Sequence, residues 1–414
     1  MAPSNKAKCH PSWTQTGPNT YSQPYGFQEV LYNAISVPPG SPALFLIGSW
    51  ITYSHIPSSP DGKLSTDELA HLLRSAWLQL RQQYPTMAAE NRPEGKLYTS
   101  PTSPAELKTW LAATFIVTPE KTSAEQWKNL VKTRQMTLHF FPEEHGSEVA
   151  RLPPRSDDLL DTAERQPGRG EQRASEILAP LTNMHTPITV PVPKPLPPCS
   201  QRNALLELKL SARTTQAISA ACNAQRLSVT AAWHAAAVLA TQSLQAKRNA
   251  ASGAGPVAGT QFACFGNLNL RRYFPAQDPA VLPDAYALSN RHGVLPYVVE
   301  PEGKTFAQLA RELAAFYQQD LPKADPEVWS ALGPMIRVLV PDFVQPQLEE
   351  TTPALSSLGV IDNFIGNLYA GADGQGDWRV EDVWFGDTVT GPRLECFMWA
   401  WRGRISINTC YNPA

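Results

Sequence analysis

The apolar residues near the start of the chain predict one buried strand and one amphipathic helix. Residues Ala43–Tyr53 form an almost unbroken apolar run with β-branched members, which is typical of a buried strand. Ser65 with Glu68 three residues later is the sequence signature of a helix capping box. The apolar positions that follow recur at spacings of three and four: Leu69, Leu72, Leu73, Ala76, Trp77 and Leu80. This stripe predicts a helix that packs one face against a core.

Shorter apolar runs predict the other elements of the first half. Strands are expected at Lys96–Thr99, Ala113–Val117 and Met136–Phe141, and a helix at Ser123–Val131. Residues 1–42 show no sustained period and are expected to form an extended segment. Residues 143–201 are charged and rich in proline, with six prolines between Pro187 and Pro198. Because proline interrupts both helices and central strands, we predict an irregular linker over these residues.

The second half shows a more regular alternation of strands and helices. Strands are predicted at Leu205–Leu210, Val380–Trp384, Glu395–Trp401 and Arg404–Thr409, and helices at Thr214–Gln225, Ser228–Ser243 and Phe306–Tyr317. This mixture predicts an α/β (α+β) protein. The chain has 414 residues, whereas single cores stop growing near ~250–300 residues. We therefore expect two lobes, residues 43–142 and residues 202–414, joined by the linker.

Composition and charge exclude several classes of function. The net charge is −2 and no block of Lys and Arg occurs, so no nucleic-acid partner is expected. Residues Met1–Trp13 lack the apolar run of a signal peptide, and the longest apolar stretches are too short to span a bilayer. A cytoplasmic protein is therefore expected. The six cysteines are scattered without metal-ligand spacing, and no glycine-rich nucleotide motif follows a strand, so no metal is predicted.

Several phrases of the second half carry a family resemblance. They are Leu227–Ala237 (LSVTAAWHAAA), Asn269–Pro275 (NLRRYFP), Leu355–Asp362 (LSSLGVID), Val380–Gly386 (VEDVWFG) and Phe397–Asn412 (FMWAWRGRISINTCYN). Their order and spacing resemble those of the fungal trichothecene 15-O-acetyltransferases, which belong with chloramphenicol acetyltransferase and the condensation domains. The resemblance implies two chloramphenicol-acetyltransferase-like lobes that form a pseudo-dimer. It also implies an inter-lobe tunnel for the acyl donor and the acceptor.

The catalytic motif of that family is missing from this chain. The family resemblance implies an HxxxD motif whose histidine removes a proton from the acceptor alcohol. None of the eight histidines is followed four positions later by aspartate, and His139 comes nearest because Glu143 follows it. Pro142 runs almost directly into Glu148–Pro154 (EVARLPP), which resembles the segment normally found after the motif. His139 is therefore kept as a candidate base, with an ordinary strand histidine as the alternative.

Two serines and three tryptophans are the other candidate site residues. Ser356 and Ser357 lie on a strand that borders the tunnel in the family, where a hydroxyl donates a hydrogen bond to a substrate carbonyl or to an oxyanion. The alternative is that these serines satisfy backbone groups. Trp399 and Trp401 alternate along one strand, and together with Trp384 they are candidates to bind substrate or, alternatively, to fill the core.

These features leave three hypotheses for function. In the first, the scaffold has lost acid–base chemistry and templates an intramolecular cyclisation of Diels–Alder type on an apolar terpenoid or polyketide, without a cofactor. In the second, the protein is an acetyl-CoA-dependent O-acyltransferase that acts on a secondary-metabolite alcohol. In the third, it is a binding protein without catalysis. All three predict a small hydrophobic ligand and a monomeric protein.

Overall fold

The structure is a computed structural model. It describes residues 12–34, 47–58, 64–117, 157, 160, 162, 167–191, 204–253, 259–274, 291–344, 350–371, 376–389 and 393–411. The predicted helix Ser123–Val131, the predicted strand Met136–Phe141 and the candidate base His139 lie outside these residues. Within the described residues, no helix combines the length and the apolarity needed to cross a membrane.

The first half contains a small antiparallel sheet and three helices. The sheet has the order β1-β2-β5-β4, formed by β1 (Thr14–Gly17), β2 (Thr20–Gln23), β4 (Glu90–Arg92) and β5 (Gly95–Thr99). The helices are α1 (Phe27–Ala34), α2 (Thr66–Gln83) and α3 (Pro104–Thr114). The prediction of an extended segment over residues 1–42 is wrong for residues 14–34, where β1, β2 and α1 lie. Phe27 and Leu31 stabilise α1 as a helix, because they share one helix face and are both buried.

The capping box predicted for α2 is confirmed. The Glu68 N–H donates to Ser65 Oγ at 3.3 Å, and the Ser65 N–H donates to Glu68 Oε2 at 2.8 Å. Two N–H groups that the helix itself leaves unbonded are thereby satisfied.

Replacement of Ser65 by alanine is expected to lower the free energy of unfolding by about 1 kcal/mol, because the cap bond is lost. Urea denaturation of the whole chain measures this change. Ser75→Ala is the matched control, since Ser75 lies inside the same helix, is half-buried, and bonds only the His71 carbonyl oxygen among the described residues. Equal effects of the two substitutions would contradict the capping role.

The predicted strand at Ala113–Val117 is wrong, because its first residues end helix α3. Ser103 caps this helix by accepting a hydrogen bond from the Glu106 N–H, and Pro104 occupies its first turn. Leu107, Trp110 and Leu111 then follow at spacings of three and four residues and pack into the core. Ala113 and Thr114 therefore end the helix, and residues 115–117 follow it without regular secondary structure.

The predicted linker contains a helix that contributes to the core. Helix α4 covers Arg169–Thr182 and buries Ala174 and Leu178, which are one turn apart. Both residues belong to a large hydrophobic cluster with residues of α1 and of the second half. The expectation of irregular structure is wrong here because the prolines concentrate after the helix. Beyond it, the two-residue strand β6 is Val190–Pro191.

The second half contains the elements that the sequence predicted, together with several more. Its strands are β7 (Ala204–Lys209), β8 (Phe262–Asn269), β9 (His292–Val299), β10 (Glu350–Thr351), β11 (Ala354–Val360), β12 (Leu368–Ala370), β13 (Asp377–Asp387), β14 (Leu394–Trp401) and β15 (Arg404–Tyr411). Its helices are α5 (Ala212–Ala224), α6 (Val229–Ala251), α7 (Phe306–Gln318), α8 (Leu321–Ala324) and α9 (Val328–Val344). One sheet has the order β11-β14-β15-β7, with β11 parallel to β14, and β8 pairs with β9.

One long strand joins the two halves of the chain. Strand β3 (Ile47–Ile56) pairs antiparallel with β13, from Ile47 opposite Asp387 to Ile56 opposite Asp377. The resulting sheet has the order β12-β13-β3. It follows that residues separated by more than 300 positions in the sequence form one continuous ladder.

The strands β8, β9, β11 and β14 separate two apolar layers. On one side, helices α6 and α7 pack through Ala231, Ala235, Leu309 and Leu313 against Cys264, Tyr297 and Leu355. On the other side lie helices α1, α4 and α9 and, further along, strand β13. We call the second side the inner face, because it lies between these strands and elements from the first half.

Candidate active site

Strand β11 sends its two candidate serines to opposite faces. Leu355 belongs to the cluster beneath α6 and α7, and Ser357 lies on the same side, where its hydroxyl hydrogen-bonds Thr230 Oγ1 of α6 at 2.8 Å. Since side chains alternate along a strand, Ser356 lies on the inner face. Ser356 is half-buried, and within the described residues its hydroxyl has no hydrogen bond. Of the two serines, Ser356 is the one with a hydroxyl available to a ligand.

A tyrosine, a histidine and an asparagine form a chain of hydrogen bonds on the inner face. His292 Nε2 lies 2.7 Å from Asn267 Oδ1, and His292 Nδ1 lies 3.4 Å from the Tyr32 hydroxyl of α1. The Asn267 amide nitrogen donates to the Leu355 carbonyl oxygen at 3.3 Å, so its oxygen accepts from His292. Burial lowers the pKa of His292 to about 4, which keeps its ring neutral at pH 7. His292 is the first residue of strand β9.

Two carboxyl groups lie near this chain of hydrogen bonds. Glu395 on β14 stands opposite Cys410 of β15, and the Asp387 N–H donates to Cys410 Sγ at 3.4 Å. Burial raises the pKa of Glu395 to about 7, although the charge of Arg393 opposes the rise. Burial also raises the pKa of Asp387 well above its usual range, and the charge of Glu395 adds to this. The charge of Glu395 therefore disfavours ionisation of Asp387.

The polar residues of the inner face are only partly exposed. Tyr32, Asn267, His292, Ser356 and Glu395 are all half-buried, so each retains accessible surface. Burial is nevertheless the largest cause of three pKa shifts. It raises the pKa of Tyr32 to about 12, lowers the pKa of His292 and raises the pKa of Glu395. Side chains that are accessible but surrounded by protein are typical of the lining of an internal cavity. We call these five residues, together with Asp387, the inner-face site.

The three candidate tryptophans lie beside this site, within a hydrophobic cluster. Trp399 is 1% exposed and Trp401 is 6% exposed, and both pack against Val380 and Val383 of β13. Trp384 is half-buried against the same cluster. This placement suits residues that fill the core, which was the alternative from the sequence. Their role in substrate binding stays a prediction.

Sequence reasoning did not identify Tyr32, Asn267, Asp387 or Glu395 as site residues. A signal existed for Glu395, which is the one acidic residue inside the apolar strand LECFMWAW. A charged residue within a strand expected to be buried indicates either a buried pair or a functional group. Tyr32 and Asn267 carry no comparable signal, because their partners are distant in the sequence.

Relatives of known activity match nearly the whole chain. Over 451 residues, the chain is 25% identical to the acetyltransferase pigO of Monascus ruber, and the match covers 97% of this chain and 93% of pigO. It is 24% identical to the O-acetyltransferase pigM of the same organism, over 97% of this chain and 83% of pigM. No family model matches the sequence.

Solved structures agree on the fold. The trichothecene 15-O-acetyltransferase of Fusarium sporotrichioides superposes with a TM-score of 0.76 at 14% identity, covering 97% of this chain and 93% of that protein. The polyketide synthase associated protein 5 of Mycobacterium tuberculosis has a TM-score of 0.50 at 13% identity, covering 95% and 94%. The resemblance carried by the sequence motifs is thereby confirmed: this chain is a homologue of fungal acetyltransferases and has the fold of the trichothecene 15-O-acetyltransferase.

Proposed function

We propose that the protein transfers an acyl group, in the simplest case acetyl, from a CoA thioester to an alcohol of a small apolar secondary metabolite. Acetyl-CoA is then a co-substrate. The observation that carries the proposal is the match to two acetyltransferases over 97% of the chain. The inner-face site supports it, because a half-buried polar group set in an apolar surround suits a small neutral acceptor.

Acyl transfer needs a hydrogen-bond donor for the oxyanion that develops on the thioester carbonyl. The Ser356 hydroxyl meets this need, since it lies on the inner face and makes no hydrogen bond within the described residues. Ser357 is engaged with Thr230 on the opposite face. The structure thus distinguishes two serines that the sequence treated alike.

Intramolecular cyclisation of an apolar terpenoid or polyketide is the second candidate function. Two observations favour it: no histidine is followed by aspartate in the HxxxD pattern, and burial favours the neutral form of Asp387. A protonated carboxyl group and a serine hydroxyl both donate hydrogen bonds to an activating carbonyl, and a cavity holds the reacting ends together. This chemistry requires neither a base nor an acyl donor.

Mass spectrometry of the products separates the two candidates. The protein is incubated with a panel of apolar alcohols and polyene ketones, with and without acetyl-CoA. Products heavier by one acetyl group that form only with acetyl-CoA support acyl transfer. Isomers of unchanged mass that form without acetyl-CoA support cyclisation and contradict acyl transfer.

Ser356→Ala is expected to lower kcat of the acyl transfer by about 10²–10³-fold, the usual effect of removing one oxyanion donor. Ser357→Ala is the matched control and is expected to leave kcat within a few-fold, because its hydroxyl faces α6. Steady-state kinetics of the two variants with acetyl-CoA measures both values. A loss confined to Ser357→Ala would contradict the assignment of the faces.

A further inference from the structure

Glu395 and Ser356 lie on neighbouring strands and face the same side, the inner face. Strands β11 and β14 are parallel, with Ser356 opposite Phe397 and Ala354 opposite Glu395. Neighbouring residues in register share a face, and Glu395 lies two positions before Phe397, so Glu395, Phe397 and Ser356 all face inward. Ideal strand dimensions place the Cα atoms of Ser356 and Glu395 about 8 Å apart. A carbonyl that accepts from Ser356 therefore lies close to the Glu395 carboxyl group.

Buried polar atoms without partners surround Glu395. Asp387 is 4% exposed, and its Oδ1 has no hydrogen-bond partner within the described residues. Gln28 lies one turn before Tyr32 on α1, is 3% exposed, and neither polar atom of its side-chain amide has a hydrogen-bond partner within the described residues. Unpaired buried polar atoms are costly and rare, so their accumulation on this part of the inner face indicates a polar ligand group.

Neither His292 nor His234 serves as the base at this site. Both nitrogens of the His292 ring are engaged, with Tyr32 and with Asn267, and burial keeps its pKa near 4 as shown above. His234 lies on the opposite side of the sheet, within the cluster beneath α6 and α7, where the hydroxyls of Tyr297 and Tyr317 approach its Nδ1 at 3.3 and 3.1 Å. Glu395 is the acidic group of the inner face that remains accessible.

We propose that Glu395 is the general base of the acyl transfer, acting in place of the histidine of the HxxxD motif, with the Asp387 carboxyl group beside it. This inference rests on the proposed function. The Glu395 carboxylate takes the proton of the acceptor hydroxyl as the alcohol oxygen bonds to the thioester carbonyl carbon. The tetrahedral intermediate collapses, the carbon–sulfur bond breaks, and the leaving CoA thiolate takes the proton back from Glu395. The products are the ester and CoA, and Glu395 is again ionised.

The surroundings of Glu395 suit this task. The titratable groups around it are Tyr32 of α1, Cys264 of β8, Asp387 of β13, Arg393 and Cys396 of its own segment and Cys410 of β15. Burial raises the pKa of the three cysteines and of Tyr32, so these groups stay neutral at pH 7. A carboxyl group with a pKa near the working pH is the favoured general base.

The test compares Glu395→Gln with wild type in the acetyl-CoA assay, using an alcohol that wild type acetylates. Glu395→Gln is expected to lower kcat by about 10²–10⁴-fold with little change in KM, because a positioned base is lost while its shape is kept. Wild-type kcat/KM is expected to rise through pH 7, where Glu395 becomes ionised. Glu381→Gln, which changes an exposed glutamate on β13, is the matched control. Circular dichroism confirms that each variant folds.

The possible outcomes are distinguishable. Wild-type rates in Glu395→Gln overturn the inference but leave acyl transfer standing. Loss of activity in His139→Ala, with Glu395→Gln unaffected, assigns the base to His139 and also overturns it. Wild type that acetylates none of the alcohols contradicts the proposed function, and the inference falls with it.

Discussion

Replacement of Trp399 by alanine is expected to lower the free energy of unfolding by about 3–5 kcal/mol, the usual cost of removing a buried aromatic side chain. Trp399 is 1% exposed, and its ring packs edge-on against Phe385 at a centroid distance of 5.3 Å. The cavity left between β13 and β14 is bordered by strands with fixed hydrogen bonds, so it does not collapse easily. Trp399→Phe keeps most of the volume and is expected to cost less.

Urea denaturation followed by circular dichroism measures these changes. Leu206→Ala is the matched control, because Leu206 lies in the same sheet on β7 but is 63% exposed. It is expected to change the free energy of unfolding by less than about 0.5 kcal/mol. If Trp399→Ala leaves stability unchanged and abolishes ligand binding, then Trp399 belongs to the wall of a pocket and not to the core.

Wild type is expected to lose stability as the pH rises from about 4.5 to about 7, through Glu395. The unfolded chain releases this proton near the ordinary pKa of 4.5, whereas the folded protein holds it until about 7. The stabilising contribution is therefore complete below pH 4.5 and is lost as the pH passes through the folded pKa. A rise of this size corresponds to a loss on the order of 3 kcal/mol. Asp387, whose pKa is also raised, acts in the same direction.

Glu395→Gln removes the ionisation and isolates its effect from that of the other carboxyl groups. We expect the variant and wild type to have similar free energies of unfolding at pH 4.5, and the variant to be more stable at pH 8. Guanidinium denaturation at both pH values measures the difference. A variant that is no more stable than wild type at pH 8 would show that ionisation of Glu395 does not lower the free energy of unfolding.

The sequence predicted an element correctly where a few neighbouring residues carry the signal. The capping box at Ser65, the helix begun by Ser228 and the strands on either side of the turn at Arg402 and Gly403 all form as predicted. The errors arose where composition was averaged over a long window. The linker prediction overlooked α4, whose apolar residues Ala174 and Leu178 stand among charged neighbours.

The candidate site was predictable only in part. Ser356 was identified from the family phrase around it, but its separation from Ser357 depends on which face packs against α6. His292 contacts Tyr32 and Asn267, which are distant in the sequence. No local sequence pattern reveals that Tyr32 of α1 lies close to His292. Buried neighbours also determine the pKa of Glu395, and those neighbours are known only from the fold.

The pairing of β3 with β13 has a consequence for the biosynthesis of the protein. During translation, the ribosome must add more than 300 residues after β3 before its partner strand exists. Until then, an apolar strand with free edges is exposed, and such edges readily join foreign chains. Nascent chains released early would therefore aggregate, and the newly made polypeptide would depend on chaperones until β13 emerges from the ribosome.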